Sequence, residues 1–231
     1  MNRLPGFVRQ HIAGLRLLLV FTVLCGIIYP VFMWGIAQVA FPHQANGSLI
    51  SYHGRVVGSS LLCQEFVDAK GNPLPQYFQP RPSYAIVGWS LVQKNGKYYI
   101  TGTGPSNYGC NPLYSSASNL GPNNPALVQF IKQQQAQISK FDHVPVSQIP
   151  ASAVTGSGSG LDPNISPANA AIQVDRVAAA RHVSPAEIQA LVRQYTRGRT
   201  LGFLGQPTVN VLELNIALDQ KYPVPSGSSG S

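Results

Sequence analysis

From Leu15 to Phe41 the chain is an almost unbroken apolar run, with Arg16, Cys25 and Tyr29 as its only ionisable groups. That length crosses a bilayer with some tilt. Gly35-Ile36-Ala37 resembles a signal-peptidase site, but the run is about twice the length of a signal-peptide core, so the reading is a retained transmembrane anchor. Beyond it the pattern changes period. After a turn at Gln44–Ser48, the Val and Leu content of Arg55 to Leu62 reads as a buried strand. From Tyr84 to Thr101 two β-rich runs flank Asn95-Gly96, the strongest local signal for a type I′ hairpin, with Trp89, Tyr98 and Tyr99 as cross-strand partners. Asn123, Asn124 and Pro125 start a helix that runs to about Phe141, with Leu127, Phe130, Ile131 and Ile138 on one face and glutamines on the other.

Punctuation is densest between Ser157 and Arg199. Ser166 before Pro167 is an N-cap followed by a proline whose missing N–H costs nothing at the first helical position; Ser184, Pro185 and Glu187 repeat the device as a capping box. The Pro- and Ser-rich Asp142 to Thr155 reads as an excursion into this region. A tight turn at Gly202–Pro207 precedes Thr208, which is expected to cap a final helical segment, VNVLELNIALDQKY. The expected fold class is α+β: one N-terminal transmembrane helix, then a single extracytoplasmic α/β-type domain with a small sheet and about four helices. The boundaries are a short cytoplasmic N-terminus (1–14), the span (15–41), the domain (42–222) and a disordered tail (223–231).

Composition and charge sharpen this picture. Only 10% of the 231 residues are charged, a profile closer to an exported domain than to a cytosolic one. The net charge of +8 comes from basic residues scattered singly, without a run of lysines or an aromatic-rich motif, so nucleic acid is not an expected partner. Arg3 and Arg9 precede the apolar run and Arg16 stands at its start, and no acid occurs before Glu65. The positive-inside rule therefore keeps the N-terminus in the cytoplasm and puts everything after Phe41 outside. Within the span, Gly26 and Gly35 are the expected helix-packing positions, with the bilayer and a second helix as partners.

Candidate chemistry is sparse. The alternating Ser and Gly from Ser157 to Gly160 lack the Lys-Ser or Lys-Thr pair of a phosphate loop. Asp162, Asn164 and Ser166 alternate like the start of a calcium loop, but Pro167 and Gln173 stand where its Gly and Glu belong. No Gly-x-Ser-x-Gly elbow and no metal-ligand spacing is present, and the carboxylates are spread one by one. His182, at a helix end, reads as a capping contact rather than a catalyst. The chain is expected to be non-catalytic, with no metal and no cofactor of its own. Cys63 and Cys110 are the two cysteines on the side assigned to the oxidising exterior. They are disulfide candidates, against the alternative of two separately buried thiols, while Cys25 in the span stays reduced.

Several pieces resemble one family: QANGSLI (Gln44 to Ile50), Gly58-Ser59, Gln64 with Phe66, Tyr77-Phe78, Arg81-Pro82-Ser83, SNLGPNNPAL (Ser118 to Leu127), SGLDPNISP with QVxRVAxAR (Ser159 to Arg181) and GQPTVNVLELNIALD (Gly205 to Asp219). In this order they resemble the KdpC family of the Kdp-type high-affinity potassium-transporting P-type ATPase. The resemblance implies a single-span accessory subunit in the bacterial inner membrane. Its implied partners are a channel-like potassium-translocating subunit and an ATP-hydrolysing subunit, with ATP entering through the latter. This chain has neither the Asp-Lys-Thr-Gly phosphorylation sequence nor a TVGYG-like filter. The resemblance also implies roles in assembly and as a catalytic chaperone that raises the ATP affinity of the hydrolytic subunit. If that role maps onto the domain, Gln173 is the candidate nucleotide-binding residue. Two departures stand out: the region between Ser83 and Asn111 is longer than in the family, and Cys63 and Cys110 replace what are more commonly Gly and Tyr. The competing class is a free-standing membrane-anchored periplasmic binding or sensor domain.

Overall fold

An apolar run that finds no core to enter keeps its backbone hydrogen bonds to itself, and the first part of the chain is accordingly one helical rod. A computed structural model describes residues 5–84, 87–103 and 110–224, without the side chains of 87–91 and 99–103. It divides into two compact units, the first ending at Leu49 and the second beginning at Ile50. In the first unit, α1 (Gly6–Val23), a π-turn (Leu24–Ile28) and α2 (Tyr29–Ala40) form one rod of 35 residues with no buried position. At 1.5 Å per residue that is about 52 Å, against a hydrocarbon core of about 30 Å. The helix thus starts well before Leu15, and the turns that carry Arg9 and His11 extend past the apolar stretch. The π-turn has a cause in the sequence: Pro30 lacks an N–H, and in a regular helix its ring would strike the carbonyl of Gly26. Widening the preceding turn, with Tyr29 N–H donating to Leu24 O, relieves that conflict. A short α3 (Pro42–Ala45) follows.

The second unit opens with the hairpin β1 (Leu49–Tyr52) and β2 (Arg55–Ser59). The expected buried strand at Arg55–Leu62 is shorter and largely open, with Val56 61% exposed. β-branched residues favour an extended backbone, but burial needs a covering layer, and among the described residues β2 pairs only with β1. Strands β3 (Val87–Lys94) and β4 (Lys97–Thr103) form the expected hairpin, with Lys94 opposite Lys97. Asn95 (φ 52°) and Gly96 (φ 71°) are both left-handed, as a type I′ turn requires. Tyr98 faces Gln93 and Tyr99 faces Val92 across the ladder, while Trp89 sits in an irregularity between Val87 and Ser90; the side chains of Trp89 and Tyr99 lie outside the described atoms.

Helix α4 (Pro125–Asp142) begins where Asn124 accepts the Ala126 N–H. Its glutamine side is not a plain solvent face: Gln134 is buried, and Gln129 pairs with Tyr98 of β4. The Pro- and Ser-rich stretch contains one 3-10 turn (Val146–Gln148) and α5 (Ala151–Val154), and Ile149, Ala153 and Val154 form a small core with Ile138. Strand β5 (Asn164–Ile165) leads into α6 (Pro167–Arg181), capped by Ser166, and α7 (Pro185–Gln194), which has the full capping box. Between these helices His182 is left-handed (φ 54°) and closes α6, with Val183 N–H returning to Ala178 O. β6 (Thr196–Arg197) and β7 (Thr208–Asn210) then complete a three-stranded antiparallel sheet in the order β5-β7-β6. The last helix is not capped by Thr208, which is a strand residue. Asn210 is the cap of α8 (Val211–Lys221), its Oδ1 accepting the Glu213 N–H. Both periods in that segment are real, because three residues cross the sheet before the helix starts.

Among the described residues, the four longer helices and three small sheets of this unit make an α+β fold, with the expected small sheet replaced by separate ones. Its main core joins α6, α7, α8, β5 and β7 around Phe78, Val177, Ile188, Val209, Leu214 and Leu218. The tail expected to be disordered lies, beyond Val224, outside the described residues.

Cys63 and Cys110 are bonded, both buried, with Cα atoms 6.1 Å apart. The bridge fastens the chain after β2 to the chain after β4. Cys25 is the free cysteine. Replacing both bridged cysteines with serine is expected to lower the stability of the domain by about 4 kcal/mol, from loop-closure entropy over a separation of 47 residues. Urea unfolding checks this, and coincident curves for the two proteins would show that the bridge does not stabilise the fold.

Candidate functional site

The peptide Pro75–Gln79 belongs to no sheet, yet Phe78 and Gln79 are almost completely buried. A buried peptide without a ladder must find other partners for its N–H and C=O groups. Helix α6 supplies them from one stripe, Asn169, Gln173 and Arg176, at spacings of four and three that bring the side chains onto one face. Gln79 N–H donates to Gln173 Oε1 (2.7 Å), and Gln173 Nε2 donates to Gln79 O (3.2 Å) and to Asn169 Oδ1 (3.1 Å). Helix α8 answers with Asn215, whose Oδ1 accepts Phe78 N–H and whose Nδ2 donates to Phe78 O, both at 2.9 Å. Two side-chain carboxamides thus stand in for two residues of a neighbouring strand. The Gln129 pairing with Tyr98, at 3.1 and 2.8 Å, repeats the device on α4.

Two arginines complete the clamp. Arg176 donates to the carbonyls of Pro75 and Tyr77, to Gln173 Oε1 and, at 2.6 Å, to Asp142 Oδ1. Arg181 donates to Gln76 O (2.8 Å), Tyr222 O (2.7 Å) and Asp219 Oδ1 (2.8 Å), and Tyr77 donates to the other oxygen of Asp219. Asp142 and Arg176 are both buried, so burial pushes the Asp142 carboxyl above the usual range even though the guanidinium beside it pulls the other way. The Tyr77 phenol is likewise raised, first by burial and then by the Asp219 charge.

Gln173, the expected nucleotide contact, therefore lies inside the domain, 3% exposed, and both ends of its amide are engaged. In the free chain a base edge reaches it only by displacing Gln79. Arg176, Arg181, Asn215 and Asp219 were not singled out from sequence, although one signal was available: Asn215 interrupts the apolar face made by Leu214, Ala217 and Leu218. The Ser157–Asp162 loop is also an internal fastening. Asp162 pairs with Arg81 (3.1 Å), and the carbonyls of Ser159, Gly160 and Leu161 accept from Ser116, Ser83 and Cys63.

Beside the clamp is a cleft of about 450 Å³ lined by Pro73, Pro75, Gln137, Lys140, Phe141, His143 and Arg176. The Arg176 guanidinium stacks 4.3 Å from the centre of the Phe141 ring at its edge. Seven of the eight carboxylates hold structural partners: Glu65 with Cys110 N–H, Asp68 in its own turn, Asp142, Asp162 and Asp219 with arginines, Glu187 in the capping box and Glu213 with Arg197. No group of three His, Cys, Asp or Glu converges among the described residues. In the span, Gly26 and Gly35 face open space, with nothing within 4 Å of an added Cβ.

The clamp predicts that Gln173→Leu, which keeps the volume but removes both partners of Gln79, destabilises the protein by about 2–4 kcal/mol. Chemical denaturation of the full chain in detergent is the measurement. A change under about 0.5 kcal/mol, the range of an ordinary surface substitution, would contradict it.

Residues 11–220 match the family described as "KdpC: K+-transporting ATPase, c chain". Among proteins similar to this chain, the "Potassium-transporting ATPase KdpC subunit" of Sorangium cellulosum is 47% identical over 206 residues, covering 89% of this chain and 95% of the relative. Proteins of the same name from Methylococcus capsulatus and Kineococcus radiotolerans are 45% and 41% identical, covering 89% and 95% of this chain and 95% and 98% of theirs. With a match that spans nearly the whole chain, the chain belongs to the KdpC family of the K+-transporting ATPase.

Proposed function

We propose that this chain is the non-catalytic accessory subunit of an ATP-driven, high-affinity potassium uptake pump. In this reading it stabilises the assembled complex and acts as a catalytic chaperone that raises the ATP affinity of the hydrolytic subunit. The observation that carries this reading is the end-to-end likeness to proteins named as subunits of a potassium-transporting ATPase. The use of seven carboxylates as structural partners supports a non-catalytic part. Its partners in this reading are the channel-like potassium-translocating subunit and the ATP-hydrolysing subunit, met first within the bilayer.

The N-terminus lies in the cytoplasm and the domain outside the bacterial inner membrane. Two independent features support that orientation: Arg3 and Arg9 ahead of the span with Arg16 at its start, and the Cys63–Cys110 bridge, which persists in an oxidising compartment. A domain outside cannot touch cytoplasmic ATP, so the effect on ATP affinity passes through the span as a coupling free energy between sites. Gln173 then serves the fold that carries the coupling and not a base edge.

Protease added to spheroplasts is expected to degrade the chain from Phe41 onward. Protection until the inner membrane is broken would reverse the orientation.

For assembly, Gly26→Leu and Gly35→Leu are the informative variants, because the isolated chain has room for both side chains and only a packed neighbour would object. Either is expected to reduce co-purification with the two large subunits, and loss of the chain to weaken ATP binding by the hydrolytic subunit. Full retention of both variants, with unchanged ATP dependence of potassium-stimulated hydrolysis, would show that these glycines face lipid.

A further inference from the structure

We propose that the hairpin tip Leu201–Leu204 is a docking anchor that inserts into an apolar, acid-rimmed pocket on another subunit of the pump; this rests on the assembly role proposed above. Every residue from Arg197 through Pro207 is exposed, and at the tip Leu201 is 78%, Phe203 68% and Leu204 49% exposed. Three large apolar side chains gathered at a turn are not needed by the core, which closes without them. Nor are they loose. Thr200 and Leu204 exchange both backbone hydrogen bonds at 2.9 Å, and Phe203 N–H returns to Thr200 O. The base of the hairpin is β6 paired with β7, and Val209 of β7 is wholly buried in the main core. Arg197 Nη2 donates to both carboxylate oxygens of Glu213 and so ties the same base to α8.

Leu201 adds an argument from strain. Its φ is 54°, a left-handed conformation that suits Gly or Asn and costs a leucine, and Gly202 beside it has φ 81°. Stability and solubility alone would place Asn at 201 and a polar residue at 203. Their apolar character, held in one shape, suits a partner that reads shape. A fluid bilayer accepts any conformation of an inserted loop, whereas a protein pocket rewards side chains that are already positioned. The charge around the tip describes the rim of that pocket. No acid occurs between Glu187 and Glu213, while Arg193, Arg197 and Arg199 do, and of these only Arg197 has an ion-pair partner among the described residues. Arg199, exposed two residues before the tip, and Arg193, exposed in the last turn of α7, complement acidic groups around an apolar hollow.

The test uses the complete pump purified in mild detergent. With the photoreactive residue p-benzoylphenylalanine in place of Phe203, illumination is expected to join this chain to one of the large subunits. Crosslinks to lipid alone, or none in a complex that still retains the chain, would overturn the proposal while leaving the assembly role intact. Failure of the wild-type chain to co-purify at all would overturn that role and this proposal with it. In competition for assembly with tagged wild-type chain, Leu201→Asn and Phe203→Ser are each expected to lose about tenfold or more. Leu113→Ser, at another exposed leucine, is expected to compete equally. Thermal unfolding of the chain alone separates docking from folding: Leu201→Asn is expected to leave the midpoint unchanged or raise it, and a lowered midpoint in both tip variants would show that the tip serves the fold.

Discussion

The domain depends on one constraint: a buried peptide must have its polar groups paired, and Phe78 and Gln79 are buried without a neighbouring strand. Side-chain carboxamides solve the problem. Gln173 and Asn215 each present a C=O and an NH2 in the spacing of a peptide group, so each pairs with both backbone groups of one residue. Arg176 and Arg181 then take the carbonyls at Pro75, Gln76 and Tyr77. The gain from each bond is modest, but leaving such groups unpaired in the interior costs about 1–3 kcal/mol apiece. That asymmetry makes the polar residues of α6 and α8 as much a part of the core as Val177 or Leu218.

Gln173, Arg176 and Arg181 of α6 and Asn215 of α8 point inward and hold the domain together. In the second unit the exposed apolar tip Leu201–Leu204 stands on a hairpin mounted on this frame. In the first, the rod from Gly6 to Ala40 has no buried residue and depends on lipid or on other helices for its surroundings.

The disulfide joins these two themes. Cys63 and Cys110 fasten the chain after β2 to the chain after β4. Glu65 reinforces the joint by accepting the Cys110 N–H. A longer excursion costs chain entropy, and a covalent closure offsets part of it.

The sequence by itself determined the elements governed by local chemistry. Ser166, Ser184 with Glu187, and Asn124 cap their helices through bonds made within a few residues. Asn95-Gly96 turns its hairpin because both positions tolerate a positive φ, and the apolar run makes a rod long enough to span a bilayer. Tertiary structure decided whatever depends on residues far apart in the chain. Arg55–Ser59 is extended as its composition demands, but only the absence of a covering layer leaves it half open. Thr208–Asn210 joins a sheet because β5 and β6 flank it, which moves the helix start to Asn210. Most plainly, Gln173 has the same side chain whether it lies in solvent or in the core. The partner that settles its role, Gln79, is 94 residues away along the chain, and only folding brings the two within hydrogen-bond reach.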